Sequence, residues 1–120
     1  MTELVALLSR GEGTWAQVAG IIKQGDWEKI ILVGSEFAMK FQVPEGKEKL
    51  CDFIEIKSSR LVELKQELQE KLAGKIKGTE VALSIASGDG KEHMALISAL
   101  LAVPVGVRFT ALTKEGIVML

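Results

Sequence analysis

The sequence predicts an α/β fold, with a single domain over residues 1–120 and an open, mostly parallel β-sheet covered by helices. Short apolar runs recur along the chain with almost no polar interruption, which is typical of strands buried on both faces of a parallel sheet. Segments with apolar residues at helical spacing lie between these runs. A chain of 120 residues has room for one hydrophobic core and no second domain.

The first elements follow a strand–helix–strand pattern. Residues 3–9 form a short, continuously apolar run and predict the first strand. Residues 14–24 predict a helix because their apolar side chains recur every three or four positions, and Gly25 ends the pattern. Residues 29–34 form a second apolar run and predict a second buried strand.

The middle of the chain adds a third strand and an amphipathic helix. Residues 35–39 predict a short helix, and the polar segment 42–49 predicts a loop because it contains proline and glycine. Residues 52–56 alternate in part between apolar and polar, which favours a strand at a sheet edge. Ser58 and Ser59 are expected to cap the next helix. That helix has a stripe of core-facing leucines at Leu61, Leu64, Leu68 and Leu72.

The last part of the chain completes the sheet. Residues 80–86 predict a fourth strand, and a Gly-rich turn at 87–91 leads into a helix over 92–103. Residues 105–110 predict a fifth strand, and 117–120 return as a sixth. Alternating strands and helices with short loops require right-handed crossovers. We therefore expect a Rossmann-like sheet in the order 3-2-1-4-5, with a C-terminal antiparallel hairpin strand.

Composition excludes several classes of protein. The 15 basic and 16 acidic residues give a net charge of −1, so we expect no binding to long DNA or RNA. The single cysteine, Cys51, excludes a disulfide within the chain and fits a reducing cytoplasm. No apolar run approaches 18 residues, so no membrane span is expected, and no signal peptide is visible. Asparagine is absent while Lys and Glu are abundant, a composition typical of thermophile proteins.

The two Gly-rich turns follow the first and fourth predicted strands. In an open α/β sheet, ligands bind beyond the carboxyl ends of the strands, at the point where the strand order reverses. That point lies between these two strands. Glycines let backbone amides approach a ligand, and the helix N-terminus after each turn favours anions. The sequence therefore predicts a ligand site formed by both turns.

The first turn offers Arg10, Gly11, Gly13 and Thr14 as candidate ligand-binding residues. Its pattern of two glycines followed by Ala16 meets the loose dinucleotide fingerprint in a strand–turn–helix setting. The fingerprint also requires an acidic residue about 20 positions further on, and none stands clearly at that distance. A tight turn without a ligand therefore remains an open alternative.

The second turn adds a cation that can face a phosphate. Its candidate ligand-binding residues are Ser87, Gly88, Asp89, Gly90 and Lys91. It is not a P-loop, because Ile85 stands where that motif needs glycine and Glu92 where it needs Ser or Thr. His93, the one histidine, is either a ligand contact or a solvated residue at the helix start. No spacing of His, Cys and carboxylates predicts a metal site.

Residues 81–96 read Val-Ala-Leu-Ser-Ile-Ala-Ser-Gly-Asp-Gly-Lys-Glu-His-Met-Ala-Leu. This segment resembles the fourth-strand motif of the CRISPR-associated Rossmann-fold (CARF) domain family. In that family an apolar strand runs into Thr/Ser-Gly-Gly-Thr/Asn-Lys and then a helix rich in Met, Ala and Leu. Ser87, Gly88 and Lys91 match, whereas the Asp-Gly between them departs from the usual Gly-Thr. A first strand that ends in Ser9, together with the element order, extends the likeness over nearly the whole chain.

The resemblance implies a homodimer whose paired switch points form one symmetric pocket for cyclic oligoadenylate, the messenger of type III CRISPR immunity. Most CARF proteins carry an effector domain after this one, and this sequence ends at Leu120. The resemblance therefore favours a ring nuclease that uses neither metal nor cofactor. In such enzymes a ribose 2′-hydroxyl attacks the adjacent phosphate, and Ser9, Lys91 and His93 are the expected catalytic residues.

Two other functions are compatible with the same residues. A non-catalytic CARF sensor or adaptor would bind cyclic oligoadenylate without turnover. A small Rossmann-like module would bind an unrelated mononucleotide or dinucleotide, as the glycine pattern of the first turn indicates. The chain is too short for the two halves of a complete dinucleotide-binding dehydrogenase.

Overall fold

The computed structural model describes residues 2–10 and 14–120. Within them, six strands form one sheet: β1 (Glu3–Leu8), β2 (Lys29–Gly34), β3 (Cys51–Glu55), β4 (Glu80–Ser84), β5 (Gly106–Thr113) and β6 (Gly116–Met119). The α-helices described are α1 (Trp15–Gln24), α2 (Leu61–Leu72) and α3 (Gly90–Ala102). Short 3₁₀ helices occupy Glu36–Lys40 and Glu48–Leu50.

The sheet has the order β3-β2-β1-β4-β5-β6. All neighbours are parallel except β5 and β6, which form an antiparallel hairpin. The predicted Rossmann-like fold, with its 3-2-1-4-5 order and C-terminal hairpin strand, is confirmed. The order reverses between β1 and β4, so the crevice at their carboxyl ends is the place where this architecture binds ligands.

Two helical layers explain why β1 is continuously apolar. Helices α2 and α3 cover one face of the sheet, and α1 with Trp27 covers the other. Every residue of β1 is buried, because this strand lies in the middle of the sheet with a layer on each side. A strand buried on both faces cannot alternate between apolar and polar side chains.

Helix α2 begins differently from the sequence prediction. Arg60, not Ser58 or Ser59, is the N-cap residue, and its side chain makes no capping hydrogen bond. Leu61 is 38% exposed, whereas the other three leucines of the stripe are buried. Leu61 lies in the first turn of α2, where Val62 and Glu63 are exposed as well, so the packing face begins only at Leu64. The predictions of a serine cap and of a buried Leu61 are wrong.

Helix α3 begins at Gly90, two residues earlier than predicted. The earlier start comes from a capping box in which Asp89 and Glu92 each bond the backbone N–H of the other. Segment 42–49, predicted as loop, also contains the start of the 3₁₀ helix Glu48–Leu50. Among the described residues, no helix is both long and apolar enough to cross a membrane.

Candidate functional site

The carboxyl ends of β1 and β4 are joined by hydrogen bonds. The backbone N–H of Ser9 donates to Ser87 Oγ over 2.8 Å, and Ser87 is fully buried. The indole Nε1 of Trp15 donates to the carbonyl oxygen of Ser9 over 2.7 Å. Both backbone groups of Ser9 therefore have partners, which fix its backbone at the switch point.

Glu92 lies at the centre of this arrangement. Ser9 Oγ donates to Glu92 Oε1 over 2.9 Å, with Oε2 at 3.2 Å. The N–H of Asp89 donates to the same Oε1 over 3.0 Å, and the N–H of Glu92 donates to Asp89 Oδ1 over 2.8 Å. The Glu92 side chain, which belongs to the capping box of α3, therefore also orients Ser9, the predicted catalytic serine.

Gly88 holds the second turn in a conformation that other residues do not fit. Its φ is +104°, a region that side chains rarely adopt. A Cβ atom at this position would lie 2.4 Å from Leu7 Cδ2 in the core. Glycine is thus required both for the backbone angle and for the close approach to β1.

A cavity of about 530 Å³ opens at this edge of the sheet. Its volume is in the range of small-molecule sites. The residues that line it are Ser9, Arg10, Ser35, Ile56, Lys57, Ser58, Ser59, Leu64, Asp89, Lys91 and Glu92. The structure thus brings four predicted site residues together around one space: Ser9, Arg10, Asp89 and Lys91.

The other predicted site residues lie elsewhere. Ser87 is buried behind Ser9 and supports it through the hydrogen bond to its backbone. His93 Nε2 is 2.9 Å from the carbonyl oxygen of Ser87, and His93 does not line the cavity. Thr14, Gly88 and Gly90 also lie outside the lining. Gly11 and Gly13 lie outside the described residues.

The cavity lining includes residues that sequence reasoning missed. They follow β2 and β3 at the same edge of the sheet: Ser35, Lys57, Ser58 and Ser59. The prediction considered only the strands on either side of the reversal, although the carboxyl ends of all parallel strands meet at one edge. Glu92 was missed as well, although the Asp-x-x-Glu spacing of residues 89–92 is a readable capping signal.

The cavity carries an excess of positive charge. Three cations line it, Arg10, Lys57 and Lys91, against the carboxylates of Asp89 and Glu92. All three cations are exposed, and no ion pair within residues 2–10 and 14–120 involves them. The two carboxylates are already hydrogen-bonded to backbone N–H groups. An anionic ligand would therefore meet three cations that form no ion pair with any described residue.

Glu67 holds the loop after β3 against α2. Its carboxylate accepts hydrogen bonds from the backbone N–H groups of Lys57 and Ser58 and from Lys71 Nζ. Partial burial acts to raise the pKa of Glu67, but these hydrogen bonds outweigh it and lower the pKa to about 2. Glu67 thereby fixes the position of two residues that line the cavity.

Replacing Glu67 with glutamine should destabilise the protein by about 1–3 kcal/mol near neutral pH, because a charged acceptor of several hydrogen bonds is lost. The folded-state pKa of Glu67 lies below its ordinary value of 4.5. The carboxylate's contribution is therefore complete above that value and disappears as the pH falls through about 2. As the pH is lowered from above 4.5 to about 2, urea unfolding should show that Glu67→Gln loses less stability than the wild type. Glu70→Gln, an exposed change on the same helix, should behave like the wild type.

A second cavity, of about 670 Å³, lies at the opposite edge of the sheet. Among its lining residues, Glu3 already accepts hydrogen bonds from the N–H groups of Lys77 and Gly78. Burial and the nearby charge of Glu48 raise the pKa of the Cys51 thiol, so it is a poor nucleophile at neutral pH. This edge carries the amino ends of the parallel strands, where this architecture does not place its ligands. No group of three His, Cys, Asp or Glu residues that could hold a metal occurs in the described part of the chain.

Comparisons with known proteins support the Rossmann-like fold and identify no family. No family model and no curated protein matches this sequence. Among solved structures, a short-chain dehydrogenase/reductase from Veillonella parvula is similar, with a TM-score of 0.52 and 17% sequence identity. The match covers 89% of this chain and 46% of the dehydrogenase, so this chain spans about half the length of that protein. At this identity the likeness shows the Rossmann-like fold and carries no activity over to this chain.

Proposed function

We propose that this chain is a CARF-like domain that binds cyclic oligoadenylate at the carboxyl-edge cavity and cleaves it as a metal-independent ring nuclease. The observation that carries the proposal is the meeting of Ser9, Arg10 and Lys91 around one cavity at the switch point of the sheet. These residues come from the two turns that resemble the ligand loops of the family.

The chemistry of the cavity matches the parts of a nucleotide. Arg10, Lys57 and Lys91 supply cations for phosphate oxygens. Serine hydroxyls, from both the first turn and the loop after β3, can bond ribose oxygens. Ile56 and Leu64, which belong to the buried core, form the apolar bottom of the cavity. A neutral protein can hold a small polyanion in this way, because the attraction is local.

We further propose that two copies of the chain share the ligand. A cyclic molecule built from repeated units can present matching halves to an isologous pair of sites. Helix α3, which begins at the cavity, exposes Met94 and Leu101, at 57% and 58% of their surface. Ile97 and Ser98 between them are half-buried, so an apolar stripe runs along this helix and could pack against the same stripe of a second copy.

The proposed cleavage needs no external reactant. A ribose 2′-oxygen attacks the adjacent phosphorus, the 5′-oxygen leaves, and the proton lost from the 2′-hydroxyl is balanced by one gained at the leaving oxygen. The products are a 2′,3′-cyclic phosphate and a 5′-hydroxyl on an opened chain. Ser9 would orient the attacking hydroxyl, and Lys91 would stabilise the charge that develops on the phosphate oxygens.

The test is incubation of the purified protein with cyclic tetra-adenylate and cyclic hexa-adenylate, with a chelator present. We expect one ring to be converted into linear products that end in a 2′,3′-cyclic phosphate. Lys91→Ala, assayed in parallel as a control, should abolish the conversion. Intact rings after a long incubation, with tight binding measured by calorimetry, would remove the catalytic claim and leave the binding claim.

One observation favours the second candidate, a sensor that binds without turnover. The ring nitrogen Nε2 of His93 contacts the carbonyl of Ser87, and this side chain does not line the cavity. His93, one of the expected catalytic residues, is thus not positioned to contact a ligand in the cavity. The two candidates differ in product formation and not in affinity.

A small nucleotide-binding module is the other alternative. Protection of the protein against heating by NAD or AMP, with none from a cyclic ring, would support it.

A further inference from the structure

The orientation of the Ser9 hydroxyl determines which part of a ligand it can bind. A hydroxyl has one proton to donate and two lone pairs that accept. The Ser9 proton is directed at the Glu92 carboxylate, 2.9 Å away, and a carboxylate can only accept. The lone pairs of Ser9 Oγ are what remains for a ligand in the cavity.

Hydrogen bonds fix the backbone of Ser9 on both sides and hold Glu92, the acceptor of its hydroxyl, in place. Its N–H is bonded to buried Ser87 Oγ, and its carbonyl is bonded to Trp15 Nε1. Glu92 is held in turn by the N–H of Asp89, within the capping box of α3. The direction of the Ser9 proton is therefore set by the folded chain before any ligand binds.

From these contacts we infer that Glu92 is a positioning residue that makes Ser9 a hydrogen-bond acceptor, so that the site selects a ligand with a ribose 2′-hydroxyl over its deoxy counterpart. The inference rests on the proposed function and specifies what Ser9 recognises within it. A phosphate oxygen needs a donor, and Ser9 has none left. Phosphate groups therefore bind at Arg10, Lys57 and Lys91, and the hydroxyl that donates to Ser9 is that of the sugar.

The experiment compares the affinities of cyclic tetra-adenylate, its 2′-deoxy counterpart and cyclic tetra-inosinate in rapid-mixing binding measurements that are complete before a ring is opened, with product analysis confirming that each ring is still intact at that time. The wild type should bind the adenylate ring about 5- to 150-fold more tightly than the deoxy ring, since an acceptor that is buried under the ligand without a donor costs about 1–3 kcal/mol. The inosinate ring lacks the adenine amine and should bind like the adenylate ring. A loss of affinity confined to inosinate would show that Ser9 reads the base and would overturn the inference.

Two variants isolate the role of the pair. Ser9→Ala should bind both sugars with nearly equal affinity. Glu92→Ala removes the acceptor of the Ser9 proton, which can then face the ligand, so the preference for the ribose ring should fall several-fold. Loss of the capping box alone would weaken the binding of both rings and leave the ratio of their affinities unchanged. Glu63→Ala, a change of the same kind at an exposed position on α2, should keep the wild-type preference.

The outcomes separate this inference from the function on which it rests. If the wild type binds neither ring, the proposed function fails and the inference fails with it. If the wild type binds the adenylate and deoxy rings equally well, or if Ser9→Ala or Glu92→Ala keeps the full preference, the proposed function stands and the role of Glu92 is wrong.

Discussion

Replacing Gly88 with alanine should destabilise the protein by about 2–6 kcal/mol. The new methyl group would lie 2.4 Å from Leu7 Cδ2, in a backbone conformation with φ of +104°. Strain at positive φ and overpacking of a core residue each cost about 1–3 kcal/mol. The turn cannot move away without breaking the bond between Ser87 and Ser9, so ligand affinity should fall as well. Chemical unfolding and calorimetry measure the two effects.

Two glycines give matched controls for Gly88. Gly90 has no neighbouring atom within 4 Å of an added Cβ and lies at the start of α3, so Gly90→Ala should be neutral or slightly stabilising. Gly74 has a φ of +79° and equally open surroundings, so Gly74→Ala isolates the cost of the backbone angle. If Gly88→Ala is as stable as Gly74→Ala, the contact with Leu7 adds no cost in stability beyond that of the backbone angle.

Replacing Lys91 with alanine should weaken the binding of cyclic tetra-adenylate by about tenfold to a hundredfold. Lys91 lines the cavity, and no described carboxylate forms an ion pair with it, so its charge is available to a phosphate. A charge-assisted hydrogen bond contributes about 1.5–3 kcal/mol. The dependence of affinity on salt concentration should also become less steep, because one cation fewer meets the ligand.

Lys114→Ala is the control for the loss of one positive charge. Lys114 is exposed in the turn between β5 and β6 and does not line the cavity. We expect its replacement to leave the affinity within about twofold of the wild type, since exposed charges at a distance are screened by salt. Equal losses in both variants would mean that the ligand responds to overall charge and not to this cavity.

The fold could be predicted because its signals are local. A strand buried between two helical layers has to be apolar throughout, and residues 4–8, 30–33 and 81–83 show this in the sequence. Helices with one buried face have to repeat every three to four residues. The turn chemistry of residues 114–116 likewise indicated the final hairpin.

The site could be predicted only in part, because it depends on contacts between distant segments. The rule for open α/β sheets placed Ser9, Arg10, Asp89 and Lys91 at one edge. The loop after β3 also lies at this cavity, because Glu67 in α2 accepts hydrogen bonds from its backbone. No local sequence signal predicts this contact between a loop and a helix. The same contacts explain the wrong prediction of a serine cap, because they hold Ser58 beside Glu67, in the middle of α2, and the chain runs on to Arg60 before the helix begins.

Mapping the binding of cyclic tetra-adenylate by amide chemical shifts tests the central claim most directly, and a chain of 120 residues suits this measurement. Binding at the carboxyl-edge cavity predicts the largest shifts in its lining and in the turn that supports it, at Ser9, Ser35, Ser58, Ser87 and Lys91. Residues of the opposite cavity, such as Lys49 and Lys77, should not shift. The absence of any shift, or shifts confined to that opposite edge, would contradict the proposed binding site.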